Sequence, residues 1–128
     1  AKLESRNLII NKEKTEEYRV RKDGDEKWKT CKYLGTLLDS TEDIKRRKRL
    51  AAGAMDTIKH ICKDRRLETS IKMRAFNAYT SSVFLYNSES WTMNKTTEDS
   101  LDSYHRRQLR NAINIKWPNK ISNTELYK

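Results

Sequence analysis

The chain has 128 residues, a length typical of one compact domain with a small appendage. Hydrophobic residues make up 35% of it and charged residues 36%, so its core is modest and we expect it to lean on a partner or on further sequence. The formal net charge of +10 points to a polyanionic partner, with nucleic acid ahead of an anionic membrane surface.

Several classes of protein are disfavoured by what the sequence lacks. No apolar run approaches the roughly 18 residues of a membrane span, and residues 1–11 lack the apolar centre of a signal peptide. Cys31 and Cys62 stand apart, with no Cys-x-x-Cys pair, so neither a zinc site nor a disulfide framework is indicated. His60 and His105 are isolated and are predicted to be surface or packing residues. We therefore expect an intracellular protein.

The segment from Thr15 to Tyr33 predicts a β-hairpin. Its first arm alternates apolar and charged residues, and Asp23-Gly24 is a two-residue signal for a tight turn. The return arm, residues 26–33, alternates roughly and has Trp28 as its anchor. Since two strands alone are marginally stable in water, we expect helices or absent sequence to cover the hairpin.

A strongly basic helix is predicted to begin at Ser40 or Thr41. Ser40 can cap it, with Asp43 three residues on as in a capping box. The slim segment around Gly53 would let another helix or a nucleic-acid backbone come close. Apolar positions then recur close to the 3.6-residue period, at Ile44, Ala51, Ala54, Met55, Ile58, Ile61 and Cys62.

Two further helices are predicted downstream. The second runs from Leu67 to Asn87, since Asn accepts the left-handed conformation that ends a helix. The third is capped by Thr96 or Thr97 and stopped by Trp117-Pro118. The buried stripe predicted for the second helix consists of Ile71, Ala75, Ala78, Tyr79, Ser82, Val83 and Tyr86, with Met73 and Phe76 flanking it. That of the third helix consists of Leu101, Tyr104, Leu109, Ala112, Ile113 and Ile115.

The fold class that follows is α+β, a small antiparallel β-hairpin followed by a three-helix bundle with antiparallel neighbours. A capping box at Ser122–Glu125 is followed by only three residues. It predicts a fourth helix that the sequence cuts short.

A family resemblance is carried by four segments, whose order is more informative than any one of them: Leu8–Thr15, Tyr33–Gly35, Phe84–Trp91 and Trp117–Asn123. The first looks like a Gly-Leu-x-x-Asn-x-x-Lys-Thr segment of a polymerase palm. The second, Tyr-Leu-Gly, looks like a primer grip. The third and fourth are similar to the Leu-Leu-Tyr-Gly-x-Glu-x-Trp and Trp-x-x-x-Ile-Ser-Asn runs of a thumb. Nearly the whole chain thus resembles the late palm and thumb of a LINE-type (non-LTR) retrotransposon reverse transcriptase.

Four places depart from the family pattern: Arg6-Asn7, Lys48, Glu68 and Asn87. Glu68 stands where a serine commonly caps the second thumb helix, which should weaken that helix start by roughly 1 kcal/mol. Such drift fits a decayed element copy or a domesticated fragment as well as an active polymerase.

The resemblance implies a division of the chain and a set of partners. Residues 1–38 would be the end of the palm with the hairpin and primer-grip turn, and residues 39–128 the helical thumb. The partners would be an RNA–DNA or DNA duplex and the rest of the palm and fingers, with no membrane. The implied location is the nucleus and cytoplasm. Mg²⁺ is implied for the parent polymerase, and no cofactor is expected on this chain.

Polymerisation needs paired carboxylates that hold two metal ions. The family places them in a Tyr-x-Asp-Asp turn, which this sequence lacks, and Asp23 and Asp25 are interpreted as turn residues. We therefore predict no catalysis by this chain alone. By resemblance, Lys14 matches the palm lysine proposed as a general acid toward the pyrophosphate leaving group.

Nucleic-acid contacts are predicted at the turn, on the first helix and in the basic connector after it. Phosphate contacts made by cationic side chains give affinity without sequence selectivity. Trp28, Trp91 and Trp117 sit at element boundaries, where packing is favoured over base stacking. The predicted binding residues are Tyr33, Leu34, Gly35, Lys45, Arg46, Arg49, Lys63, Arg65 and Arg66.

Three functions remain open at this stage. The first is the thumb and primer grip of a retrotransposon RNA-directed DNA polymerase. The second is a domesticated or decayed nucleic-acid-binding module without catalysis. The third is a helical protein-interaction fragment whose positive charge serves solubility alone.

Overall fold

In a computed structural model of the protein, the residues described are 4–18, 20, 24, 26–116 and 118–127. These residues are mostly helical and include one two-stranded antiparallel sheet, in agreement with the expected combination of a small hairpin and helices. Strand β1 (Lys32–Tyr33) pairs with β2 (Thr36–Leu37), and Leu34 and Gly35 form the turn between them. None of the helices among these residues is long and apolar enough to cross a membrane.

The location predicted for the hairpin is wrong. Asp23 lies outside the described residues, but Glu26–Thr30, predicted as the return strand, forms a 3₁₀ helix. Side-chain bonds within the segment support this helix, since Thr30 Oγ1 donates to the Lys27 carbonyl and Lys29 pairs with Glu26. The described residues of the predicted first arm, 15–18 and 20, are exposed and belong to no strand. Further 3₁₀ turns cover Glu4–Arg6 and Lys12–Lys14.

Helix α1 (Ser40–Thr57) begins where it was predicted to begin, but its cap is different. The Asp39 carboxylate accepts the Glu42 backbone N–H at 2.9 Å. The Ser40 hydroxyl instead accepts the N–H of Thr92, 52 residues away. Ser40 thus ties the helix start to a distant loop, and Asp39 caps the helix. After a break at Ile58 the chain continues as α2 (Lys59–Lys63).

The second predicted helix is a rod of three parts, α3 (Thr69–Ala75), a π-helical segment (Phe76–Ser81) and α4 (Ser82–Leu85). Glu68 occupies the N-cap, but its side chain accepts no backbone N–H of the helix, in line with the weak start predicted there. Asn87 is left-handed with φ of 58° and ends the rod as predicted.

The stripe predicted for this rod is on the wrong face. Its members Ile71, Tyr79 and Tyr86 are about half exposed, whereas the buried residues are Lys72, Phe76, Thr80 and Phe84. These recur every four residues. Such a row would drift around a regular α-helix of 3.6 residues per turn, and the π-helical segment, with its wider turn, reduces that drift.

Helix α5 (Lys95–Ala112) is capped by Asn94, whose side chain accepts the Thr97 N–H at 2.8 Å. The predicted caps Thr96 and Thr97 are therefore inside the helix. The helix ends before the predicted stop at 117–118, because Asn114 is left-handed with φ of 59° and reverses the chain. The capping box at Ser122 and Glu125 is confirmed and opens a short helix, α6 (Asn123–Leu126).

Two apolar clusters form the core. One contains Met55, Ile58, Cys62, Phe76, Leu109 and Ala112, and the other contains Ile44, Ala51, Phe84, Trp91 and Tyr104. The second cluster adjoins the hairpin, since α1 packs against β2 at that end. Trp91 is buried, with its ring edge against Phe84, as expected of a packing residue. Trp117 lies outside the described residues.

His105 is half-buried between the rings of Phe76 and Tyr127, at centroid distances of 6.1 and 6.2 Å. Burial lowers the pKa of His105 below its ordinary value of 6.5, and the charge of Asp102 opposes this only in part. The other histidine, His60, is exposed.

We expect the folded state to lose stability as the pH falls below 6.5. The unfolded chain then takes up a proton that folded His105 resists, so the free energy of unfolding decreases. Urea unfolding at about pH 7.5 and about pH 5.5 measures this slope. The His105→Gln variant should flatten it, and His60→Gln should leave it as it is. Equal slopes in the two variants would contradict the assignment to His105.

Candidate nucleic-acid interface

The turn between the two strands is held against the rest of the protein by three side chains. The Gly35 carbonyl accepts hydrogen bonds from Arg46 Nη1 at 2.9 Å and from Arg47 Nη2 at 2.6 Å. The Tyr86 hydroxyl donates to the Leu34 carbonyl at 3.2 Å. Donors from α1 and from the end of the 69–85 rod therefore meet at two successive carbonyls of the turn.

Both residues of the turn have positive φ, 48° for Leu34 and 83° for Gly35. Glycine adopts this conformation without cost, but leucine does so rarely and under strain. A Cβ at Gly35 would lie 3.5 Å from the Tyr86 ring, an ordinary contact. Glycine is therefore favoured at position 35 by the positive φ and not by a lack of room for a Cβ. The strained turn depends on the side chains that hold it.

Asp43 lies beneath the hairpin and is 1% exposed. Its Oδ1 accepts the backbone N–H of Leu37 at 3.0 Å, and its Oδ2 accepts the indole N–H of Trp91 at 2.9 Å. It therefore joins β2, α1 and the loop that follows the 69–85 rod. This corrects its predicted place in a capping box with Ser40. A buried carboxylate needs hydrogen-bond donors, and Asp43 finds them in Leu37 and Trp91 instead of at the start of its own helix.

Arg47 links this carboxylate to the turn. Its Nε lies 3.8 Å from Asp43 Oδ2, its Nη2 reaches the Gly35 carbonyl, and its guanidinium lies 4.6 Å from the centre of the Tyr86 ring. The side chain is buried, and Nε is too far from the carboxylate for a hydrogen bond. Asp43, Arg47 and Tyr86, which we call the hub, thus position the hairpin turn.

The hub was not among the predicted site residues. One signal for it was available. Arg47 is three residues from Ile44 and four from Ala51, which places a charge on the apolar face of α1. A charged residue at such a position is rarely buried unless a partner of opposite charge is present.

The predicted binding residues differ in how far they are committed to internal partners. Arg46 bonds to Gly35 and lies 3.8 Å from Asp43, with 26% of its side chain exposed. Lys45 pairs with Glu42, and Arg66 with Asp64 through two bonds, although both cations are well exposed. The other three predicted cations are exposed and form no ion pair with any residue in the described ranges; they are Arg49, Lys63 and Arg65.

The structure brings some of these residues together and separates others. The turn meets Arg46, in the first half of α1, through the Gly35 carbonyl. Tyr33 and Leu34 beside it are 65% and 75% exposed. The connector, residues 63–66, follows the other end of that helix. The part of α1 beyond Arg46, residues 47–57, places about 16 Å of helix between the two groups.

The other residues named from the sequence lie apart from this surface. Lys14 is exposed in its 3₁₀ turn, which Asn11 caps by accepting the N–H groups of Glu13 and Lys14. Trp28 is half-buried. Within the part of the chain that the structure describes, no group of three His, Cys, Asp or Glu side chains could hold a metal ion.

Comparison of the chain with protein-family models, with curated proteins and with solved structures found no match.

Proposed function

We propose that this chain is the primer-grip and thumb segment of a LINE-type retroelement reverse transcriptase and that it holds an RNA–DNA template–primer duplex by its phosphates. In this proposal residues 1–38 end the palm. Residues 39–128 form the thumb, whose three helices α1, the 69–85 rod and α5 make up the bundle. Catalytic carboxylates and Mg²⁺ belong to the rest of the polymerase.

One observation carries the proposal, namely the fixed turn at Leu34-Gly35. A primer grip must present backbone and side chains to a strand end in one defined place. The hub and Arg46 hold the two turn carbonyls, and they leave the side chains of Tyr33 and Leu34 facing solvent. An aromatic and an aliphatic side chain on a rigid turn suit contact with a sugar or base face.

The arrangement of cations supports the second half of the proposal. Arg49 lies one turn along α1 from Lys45 and is exposed. Lys63 ends α2, and Arg65 follows it in the connector; both are exposed. A duplex carries one phosphate charge for about every 1.7 Å of its axis, so a surface of this length faces many phosphates. Contacts of this kind position a duplex without reading its sequence.

The test is binding of an RNA–DNA hybrid by this chain, followed by fluorescence anisotropy across a range of salt concentrations. With some three to six phosphates neutralised, the logarithm of the association constant should fall with the logarithm of salt with a slope of about −3 to −5. Hybrids of unrelated sequence should bind equally well. A flat salt response, or no binding at low salt, would exclude the proposal and favour a protein-interaction fragment.

A further inference from the structure

A second basic surface lies at the end of the molecule away from the hairpin. The α1–α2 junction and the end of α5 enclose an open cleft of about 380 Å³. Its floor includes the buried Met55 and Cys62. Its volume falls within the range of small-ligand sites in proteins.

The walls of the cleft are cationic. Lys59 and Lys63 line one side, and Arg110 and Lys116 the other. Asp56 is the single carboxylate among the described lining residues. It lies 3.7 Å from Lys59 and offsets one of the four positive charges.

Local backbone structure explains why these charges converge. The break at Ile58 starts a new helix on which Lys59 and Lys63, four residues apart, share a face. At the other wall, Asn114 is left-handed, and the N–H of Ile115 bonds back to the Arg110 carbonyl at 2.9 Å. This reversal brings Lys116 to the cleft.

The four cations differ in how they are held. Arg110 is anchored, since its Nη2 donates to Asn123 Oδ1 at 2.7 Å. Lys63 and Lys116 form no ion pair with another residue in the described part of the chain. The site thus combines one fixed cation with lysines that can adjust to a ligand.

Helix dipoles act in the opposite direction but are weaker. Both α1 and α5 end here, and each helix C-terminus carries about half a negative charge. The four full positive charges still exceed these two partial charges and the charge of Asp56 taken together. The amides of Asn111 and Asn114, which also line the cleft, can donate hydrogen bonds to an anion as well.

We propose that this cleft binds a phosphoryl anion. Free inorganic pyrophosphate and the 5′-phosphate end of a nucleic-acid strand share the chemistry that the cleft recognises. Clustered ammonium and guanidinium groups attract a multiply charged oxyanion, and the concave wall surrounds several of its oxygens. The site shares Lys63 with the proposed duplex surface but is separate from the hairpin turn.

The test measures binding of three probes at low salt by isothermal titration calorimetry: inorganic pyrophosphate, and one single-stranded oligonucleotide with either a 5′-phosphate or a 5′-hydroxyl. The variant Lys59→Gln/Lys116→Gln should weaken pyrophosphate binding about tenfold or more. Its control, Arg74→Gln/Lys95→Gln, removes two charges outside the cleft and should change binding less than about threefold. Lys63 is retained, because it also belongs to the proposed duplex surface. Circular dichroism establishes that both variants fold.

The oligonucleotides distinguish the two sources of the anion. Tighter binding of the 5′-phosphorylated strand, lost in the cleft variant, supports the site as one for strand ends. Pyrophosphate binding with no preference between the strands supports it as one for the free anion. Absence of pyrophosphate binding, or equal losses in the cleft variant and the control, would overturn the proposal. None of these outcomes depends on hybrid binding at the hairpin turn.

Discussion

Replacement of Asp43 by alanine is expected to destabilise the protein by about 3–5 kcal/mol, the cost typical of breaking a buried ion pair. The variant leaves the buried guanidinium of Arg47 without its carboxylate. It also removes the acceptor of the Leu37 N–H and of the Trp91 indole N–H. Urea unfolding followed by circular dichroism measures the loss. Because small domains are stable by about 5–15 kcal/mol in total, a loss of this size should shift the urea midpoint clearly to lower concentration.

A matched control is Asp99→Ala, which also removes a carboxylate from an ion pair. Asp99 lies 3.3 Å from Lys95 with 64% of its side chain exposed, so its loss should cost less than about 1 kcal/mol. If Asp43→Ala does not fold, Asp43→Asn keeps the shape and one acceptor and should cost about 1–3 kcal/mol. Similar stabilities for Asp43→Asn and the wild type would contradict the role given to the hub.

The largest effect on binding is expected when the three unpaired cations are neutralised together, in Arg49→Gln/Lys63→Gln/Arg65→Gln. Each phosphate contact contributes about one unit to the salt slope, so the slope should shrink by about 2 to 3. Affinity for an RNA–DNA hybrid at about 0.1 M salt should fall about a hundredfold. Fluorescence anisotropy at several salt concentrations measures both quantities.

The control for this variant removes three charges elsewhere, in Arg74→Gln/Lys95→Gln/Lys120→Gln. All three side chains are exposed, and none belongs to the turn, to α1 or to the connector. We expect at most a fivefold loss of affinity, about 1 kcal/mol, from the reduced overall charge. Equal losses in the two triple variants would show attraction by net charge alone, and base-selective losses would indicate groove readout instead of phosphate contact.

Predictions from local signals succeeded where local bonds decide the structure. The start of α1 at Ser40, the left-handed Asn87 and the capping box at Ser122 and Glu125 depend on residues within a few positions. The apolar spacing of α1 and α5 also located buried residues such as Met55 and Leu109. In each case, neighbours in sequence supply the bond or the face that the prediction needs.

Predictions failed where distant residues decide the structure. Leu34-Gly35 carries no strong local turn signal, because leucine rarely has positive φ, and the turn there was expected only from the family resemblance. The turn exists because donors from Arg47 and Tyr86, 12 and 52 residues away, hold its carbonyls. Asp23-Gly24, with the stronger signal, is followed not by a strand but by a 3₁₀ helix. The sequence therefore suggested the turn residues as candidates for binding, but it did not predict the side chains that hold the turn.

The wide turn of the π-helical segment, Phe76–Ser81, affects how this chain aligns with related sequences. A helix with such a turn contains one residue more than a regular helix joining the same two ends. A homologue with a single deletion among the exposed positions 77–79 would still place Phe84 and Tyr86 as this chain does. An ungapped alignment across this segment would shift every later position, Tyr86 among them, by one.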